Sequence, residues 1–110
     1  FTSIGAFPNI HSPRILWIGL SDAKPTAQLN ALTELGCTTI GFPKEEKIFH
    51  PHVTLGRVKG NRYLRRLTEA IKTSTFESVR CQCTEVALIK SDLKPEGSTY
   101  TIIQTFPLHL

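Results

Sequence analysis

The order of apolar and polar residues along the chain divides it into seven segments. Residues 2 to 7 (TSIGAF) and 14 to 20 (RILWIGL) are apolar, β-rich runs separated by the turn-forming "PNIHSP", and they read as two strands. Ser21 and Asp22 then offer helix caps, with Pro25 in the first turn, where its missing N–H costs little. Ala27, Ala31, Leu32 and Leu35 recur at helical spacing, and Gly36 suits the position just past the helix end. Beyond a loop through Gly41 and Pro43, residues 52 to 58 alternate as a third strand. Asn61 stands where a cap would start a second helix, with Leu64, Leu67 and Ile71 as its apolar stripe. Arg62, Arg65, Arg66 and Lys72 occupy much of the remainder. Residues 78 to 90 predict a long strand whose apolar phase shifts near Glu85, the signature of a bulge. "KPEGS" is a turn, and residues 99 to 106 close the chain as a strand. The order strand–strand–helix–strand–helix–strand–strand predicts an α+β domain with a largely antiparallel sheet and Trp17 largely buried.

The third strand is where chemistry enters. Two of the four histidines fall in "HPHVTLGRV", residues 50 to 58. Side chains two apart on a strand point the same way, so His52 and Thr54 share a face while Val53 and Leu55 face the core. Gly56 leaves open space beside the pair. Histidine exchanges protons near neutral pH, and a threonine hydroxyl beside it donates a hydrogen bond to an anionic oxygen. The pair can therefore handle a phosphate, although an exposed His beside a Thr is usually plain surface. His50 reads as a surface residue before the strand, cut off from it by Pro51.

Composition narrows the partners without naming one. The chain has 110 residues, 40% hydrophobic and 20% charged, which suits one globular domain. No apolar run approaches membrane-spanning length. The net charge of +4 suits an anionic partner such as RNA or a nucleotide, or simply a basic surface. Lys59, Arg62, Arg65 and Arg66 follow the motif strand and could steer a polyanion, or form a solvated helix face. Cys37, Cys81 and Cys83 are read as buried or half-buried thiols in a reducing compartment, since no second close pair suggests zinc.

"HPHVTLGRVK" resembles the second His-x-Thr motif of the two-histidine (2H) phosphoesterase superfamily, and most of all its RNA 2′,3′-cyclic phosphodiesterases, also called 2′-5′ RNA ligases. The likeness extends to "GAFPN" and "RILWIGL" upstream and to "LKPEGSTYTIIQTFPL" at the end. It implies two lobes related by a pseudo-twofold axis, each placing one His-x-Thr pair in a central cleft. It implies that His52 is one of two catalytic histidines, Thr54 its phosphate-binding partner, and Arg57 a substrate-binding cation. Strict alternation puts Arg57 on the Val53 and Leu55 face, so that last role needs a bend or a long reach. The implied reaction hydrolyses a 2′,3′-cyclic phosphate to a 2′-phosphate. One histidine serves as base and the other as acid, with 2′-5′ joining of RNA as the reverse reaction. The implied setting is cytoplasmic, with an RNA or nucleotide partner, no membrane, no cofactor or metal, and a monomer at full length.

This sequence contains only one His-x-Thr, because His11 is followed by Ser12 and Pro13 and His109 by Leu110. Residues 1–110 are therefore expected to form one domain, the C-terminal portion of a longer protein whose first motif lies upstream, and to be inactive by themselves. Two other readings stand beside this one. A lone motif suits a module that holds a nucleotide or RNA end without turnover. A metal site using His50 and His52 is disfavoured, because no carboxylate or cysteine lies at ligand spacing.

Overall fold

Strand β2 (Ile15–Gly19) lies between β1 (Ser3–Phe7) and β3 (His52–Arg57), antiparallel to both, in the computed structural model, which describes residues 1–109. With helices α1 (Lys24–Thr39) and α2 (Leu64–Thr73), this sheet makes up one compact unit, Phe1–Val79. A second unit, Arg80–Leu110, holds the antiparallel hairpin of β4 (Glu85–Lys94) and β5 (Gly97–Pro107). The seven elements follow the order read from the sequence, and the class is α+β with antiparallel sheets. No helix among the described residues is long and apolar enough to cross a membrane.

Trp17 dictates much of the first sheet. Its indole lies over Gly5, its register partner on β1, and over Gly19. A Cβ at Gly5 would collide with the ring, and one at Gly19 would come within 2.9 Å of it. Glycine at these two positions is what lets the ring lie against the sheet. The indole is half-buried, not largely buried as expected, and its Nε1–H is enclosed with no acceptor among the described residues. The small core comprises Ala6, Pro13 and Ile71, with Thr68 donating its hydroxyl to the Ile10 carbonyl at 2.7 Å.

Both helices depart from expectation at their ends. In α1 the cap position is Ala23, and Asp22 Oδ1 accepts the Lys24 N–H at 3.2 Å. Gly36 lies inside the helix, which runs on to Thr39. The stop is at Gly41, which adopts φ +103°. Its N–H donates to the Thr38 carbonyl at 3.2 Å while the Phe42 N–H donates to the Cys37 carbonyl at 3.0 Å, a Schellman closure. The stop signal was read correctly but at the wrong glycine. The expected α1 stripe of Ala27, Ala31, Leu32 and Leu35 is exposed, and α1 buries no residue fully. At α2 the cap position is Tyr63, not Asn61, and it has the left-handed φ of 62°. Asn61 is committed elsewhere: its Oδ1 accepts from the Arg14 guanidinium at 2.7 Å.

In the second unit, β4 begins at Glu85, later than the expected 78, and continues to Lys94. Its start is set by its partner, since Glu85 pairs with Pro107, where β5 ends. Cys81 and Cys83 precede the strand and are exposed, contrary to the buried or half-buried reading, whereas Cys37 is half-buried.

Candidate functional site

The β2–β3 register holds the central feature of the site. Gly19 pairs with His52, Ile18 with Val53 and Trp17 with Thr54, in unbroken alternation. The next pairs are Leu16 with Gly56 and Ile15 with Arg57, so Leu55 is an extra residue opposite the Leu16–Trp17 step. Directly paired residues in an antiparallel sheet share a face. Ile15, Trp17 and Gly19 share one face of β2, so their partners Arg57, Thr54 and His52 share the same face of β3. Without the bulge, Arg57 would fall on the opposite side. The register thus holds a one-residue bulge, the kind of bend that the role expected of Arg57 would need.

The same face carries an aromatic cluster. The His52 ring meets Phe7 edge-on, with centroids 5.0 Å apart, and lies 6.5 Å from Trp17. His50 is exposed and precedes the strand, as expected, and its ring lies near Phe7 at 5.2 Å and Trp17 at 4.5 Å. Its carbonyl lies within hydrogen-bonding distance of His52 Nδ1. A carbonyl can only accept, so a hydrogen bond here puts a proton on Nδ1 and leaves Nε2 outside this contact. In neutral His52, Nε2 takes a proton. In cationic His52 it gives one. Pro51 stands between the two histidines without parting them, since the His50 carbonyl meets the His52 ring across it.

His50 and His52 open onto a groove of about 1120 Å³ that runs to α1 and the 44–50 loop. Phe7, Ile15, Leu35, Ile48 and Phe49 give it apolar walls, and its charged lining is balanced, with Lys44 and Lys47 against Glu34 and Glu45. His52 and Thr54 are exposed, as a ligand-facing pair must be. Val53 and Leu55 do not face a core: they are 45% and 59% exposed. The described helices leave this part of the opposite face uncovered, and the bulge takes Leu55 out of regular alternation. Among the described residues, no third His, Cys, Asp or Glu joins His50 and His52 into a metal-ligating group.

Three of these features carried no readable signal beforehand: the bulge at Leu55, the His50 carbonyl as orienting acceptor, and the Phe7–Trp17 wall. Gly56, which is permissive in backbone, was the one hint of irregularity.

Comparison with known proteins shows the family to which the chain is similar. A model of the 2′-5′ RNA ligase superfamily matches residues 1–95. A protein of Aquifex aeolicus named RNA 2′,3′-cyclic phosphodiesterase is 36% identical over 98% of this chain and 58% of its own length. Proteins of the same name from Methanothermobacter thermautotrophicus and Aeropyrum pernix are each 33% identical, over 94% and 88% of this chain. Each is covered over 56% of its length, so the chain spans somewhat more than half of the curated relatives it matches.

Proposed function

The chain belongs to the 2′-5′ RNA ligase superfamily, and on that premise we propose that it forms one side of an RNA 2′,3′-cyclic phosphodiesterase site. The observation that carries this reading is the slip at Leu55, which puts Arg57 on the face of His52 and Thr54. Water attacks the phosphorus of the cyclic phosphate and the bond from phosphorus to the 3′-oxygen breaks. A base removes the water proton, an acid protonates the departing 3′-oxygen, and the product is a 2′-phosphate beside a free 3′-hydroxyl. His52 Nε2 is suited to either transfer, because a proton on Nδ1 facing the His50 carbonyl leaves Nε2 to accept a proton in the neutral ring or to donate one in the cation. Thr54 donates its hydroxyl to a non-bridging oxygen, and Arg57 offsets the charge that builds there.

One histidine cannot stand on both sides of the phosphorus. We assign the second to another His-x-Thr pair, in the part of the protein corresponding to the unmatched length of its relatives. The 110 residues alone are then inactive. RNA ends with a 2′,3′-cyclic phosphate are the substrate class, 2′-5′ joining is the reverse reaction, and the protein at its natural length works as a cytoplasmic monomer.

His52→Ala, made in the protein at its natural length, tests the reading on a 2′,3′-cyclic mononucleotide. Turnover should fall by about 10² to 10⁴ with affinity little changed, as expected on removing an acid–base group. Lost affinity with no wild-type turnover would instead identify a module that only holds RNA ends. Full activity from the 110 residues alone would overturn the two-histidine account, and loss of activity to a strong chelator would revive a metal at His50 and His52.

A further inference from the structure

A dense run of positive charge begins at Arg57, the end of the motif strand, and beyond Arg57 it plays no part in the reaction above. Between Val53 and Thr68 the sequence has five cationic side chains (Arg57, Lys59, Arg62, Arg65 and Arg66) and no carboxylate. The ion pairs among the described residues, Lys72–Glu69 and Lys90–Asp92, involve none of the five. Two of the five are organised. The guanidinium carbons of Arg62 and Arg66 lie 5.5 and 5.4 Å from the centroid of one ring, Tyr63. That ring is 62% exposed and stands on a residue with the left-handed φ of 62°, uncommon for a bulky side chain.

The loop that presents this cluster is tied to the sheet. Arg14, next to β2, donates to the Gly60 carbonyl at 2.9 Å and to Asn61 Oδ1 at 2.7 Å, and its own carbonyl accepts the Val58 N–H at 2.8 Å. The cluster is thus fixed at the end of β3 that bears Arg57, about 17 Å along the strand from His52. Two guanidiniums held near one ring bring like charges together, and an anion bound beside them would offset their repulsion. Guanidiniums stacked on an aromatic ring keep N–H groups free for phosphate oxygens, and an exposed tyrosine face accepts a nucleobase.

We infer that Arg62, Tyr63 and Arg66 form a binding site for the body of a single-stranded RNA whose terminal cyclic phosphate lies at His52 and Thr54. The inference rests on the proposed function and adds the direction of the strand, from His52 past Arg57 to Tyr63. An anionic membrane fits less well. Leu64 and Leu67 beside the cluster are half-buried, leaving no apolar face to enter a bilayer.

The test compares two ligands on the protein at its natural length: a 2′,3′-cyclic mononucleotide and a short single-stranded oligoribonucleotide with the same end. Wild type should bind the oligonucleotide more tightly, with a strong salt dependence. R62Q/R66Q should lower the ratio of oligonucleotide to mononucleotide affinity by roughly ten- to a hundredfold and flatten the log–log salt slope by about 1.4, or 0.7 for each cation lost. R66Q alone should give about half that change in slope, which keeps the test valid if the double variant folds poorly. Lys90→Gln with Lys94→Gln, an equal loss of charge in the hairpin, should leave ratio and slope unchanged. An unchanged ratio in R62Q/R66Q would overturn the inference. So would an equal fall in the hairpin variant, or a loss of binding to phosphatidylserine vesicles with RNA binding retained. Failure of wild type to hydrolyse the mononucleotide would count against the proposed function, a separate result.

Discussion

The β2–β3 pair and the β4–β5 hairpin are both antiparallel, and each admits one extra residue, Leu55 in the first and Ile103 in the second. In the hairpin, Ile89 pairs with Ile102 but Leu88 pairs with Gln104, so alternation slips once. The apolar residues follow the slip. Val86, Leu88 and Phe106 share one face on one side of the bulge, and Ile89, Leu93, Tyr100 and Ile102 share the other face beyond it. In β3 the residue that changes face is a cation. Arg57 joins His52 and Thr54, and no apolar pattern changes with it. The same backbone irregularity thus sorts greasy side chains in one place and assembles a charged constellation in the other.

The most severe way to break this comparison is to remove each extra residue. Deleting Leu55 removes the bulge and leaves Thr54, Gly56 and Arg57 in regular alternation opposite Trp17, Leu16 and Ile15. Arg57 then keeps the face of His52, so turnover of a cyclic mononucleotide should stay near wild type, whereas Arg57→Ala should lower it by about 10² to 10³. Combining the two should add little. Deleting Ile103 should lower the unfolding midpoint while leaving the rate per folded molecule near wild type. If deletion of Leu55 lowered turnover as far as Arg57→Ala does, the bulge itself, and not only the face that Arg57 occupies, would matter to the site.

The same contrast explains which parts of the structure were legible in the sequence. Apolar residues report a phase slip because burial demands one face, and "EVALIKSDL" shows it within a few residues of where the register breaks at Leu88 and Ile89. The slip in β3 moves Arg57 onto the face of His52 and Thr54 and moves Gly56 off it, contrary to the open space expected of Gly56 beside the pair. Even so, "HVTLGRV" looks like unbroken alternation, so the bulge could be required by a role but not located. The His52–Thr54 pair was legible because no irregularity separates its members. The Tyr63 cap was not. Asn61 is the better capping residue by type, but Arg14, remote in sequence, engages its side chain. Burial was the least legible property, as the exposure of Val53, Leu55 and the α1 stripe attests. Alternation tells which residues share a face and is silent on what covers it.

A milder test separates the packing of the first sheet from its chemistry. Gly5→Ala puts a methyl group into the Trp17 ring, and the ring must move. Overpacking of this kind should cost about 1–3 kcal/mol, seen as a lower denaturation midpoint. Trp17 also contacts His50, which orients His52, so turnover per folded molecule should fall as well. A stability loss with unchanged turnover would show that the aromatic wall is scaffold only.

The smallest expected effect lies in the hairpin. Leu93 is 87% exposed, on the face it shares with Ile89 and Tyr100. Replacing an exposed apolar side chain touches neither cavity nor hydrogen bond, so Leu93→Thr should change stability by no more than about 0.5 kcal/mol, and the β-branched threonine suits a strand. A two-stranded hairpin is marginal by itself, however, and gains stability when a further strand or a helix packs on an apolar face. The exposed row of Ile89, Leu93, Tyr100 and Ile102 is a face of that kind. A loss of about 2 kcal/mol or more in the protein at its natural length would place Leu93 under a covering element, because only a buried leucine loses that much on truncation. The hairpin bulge would then have the same standing as the one in β3, since each would turn side chains toward a surface that the rest of the protein uses.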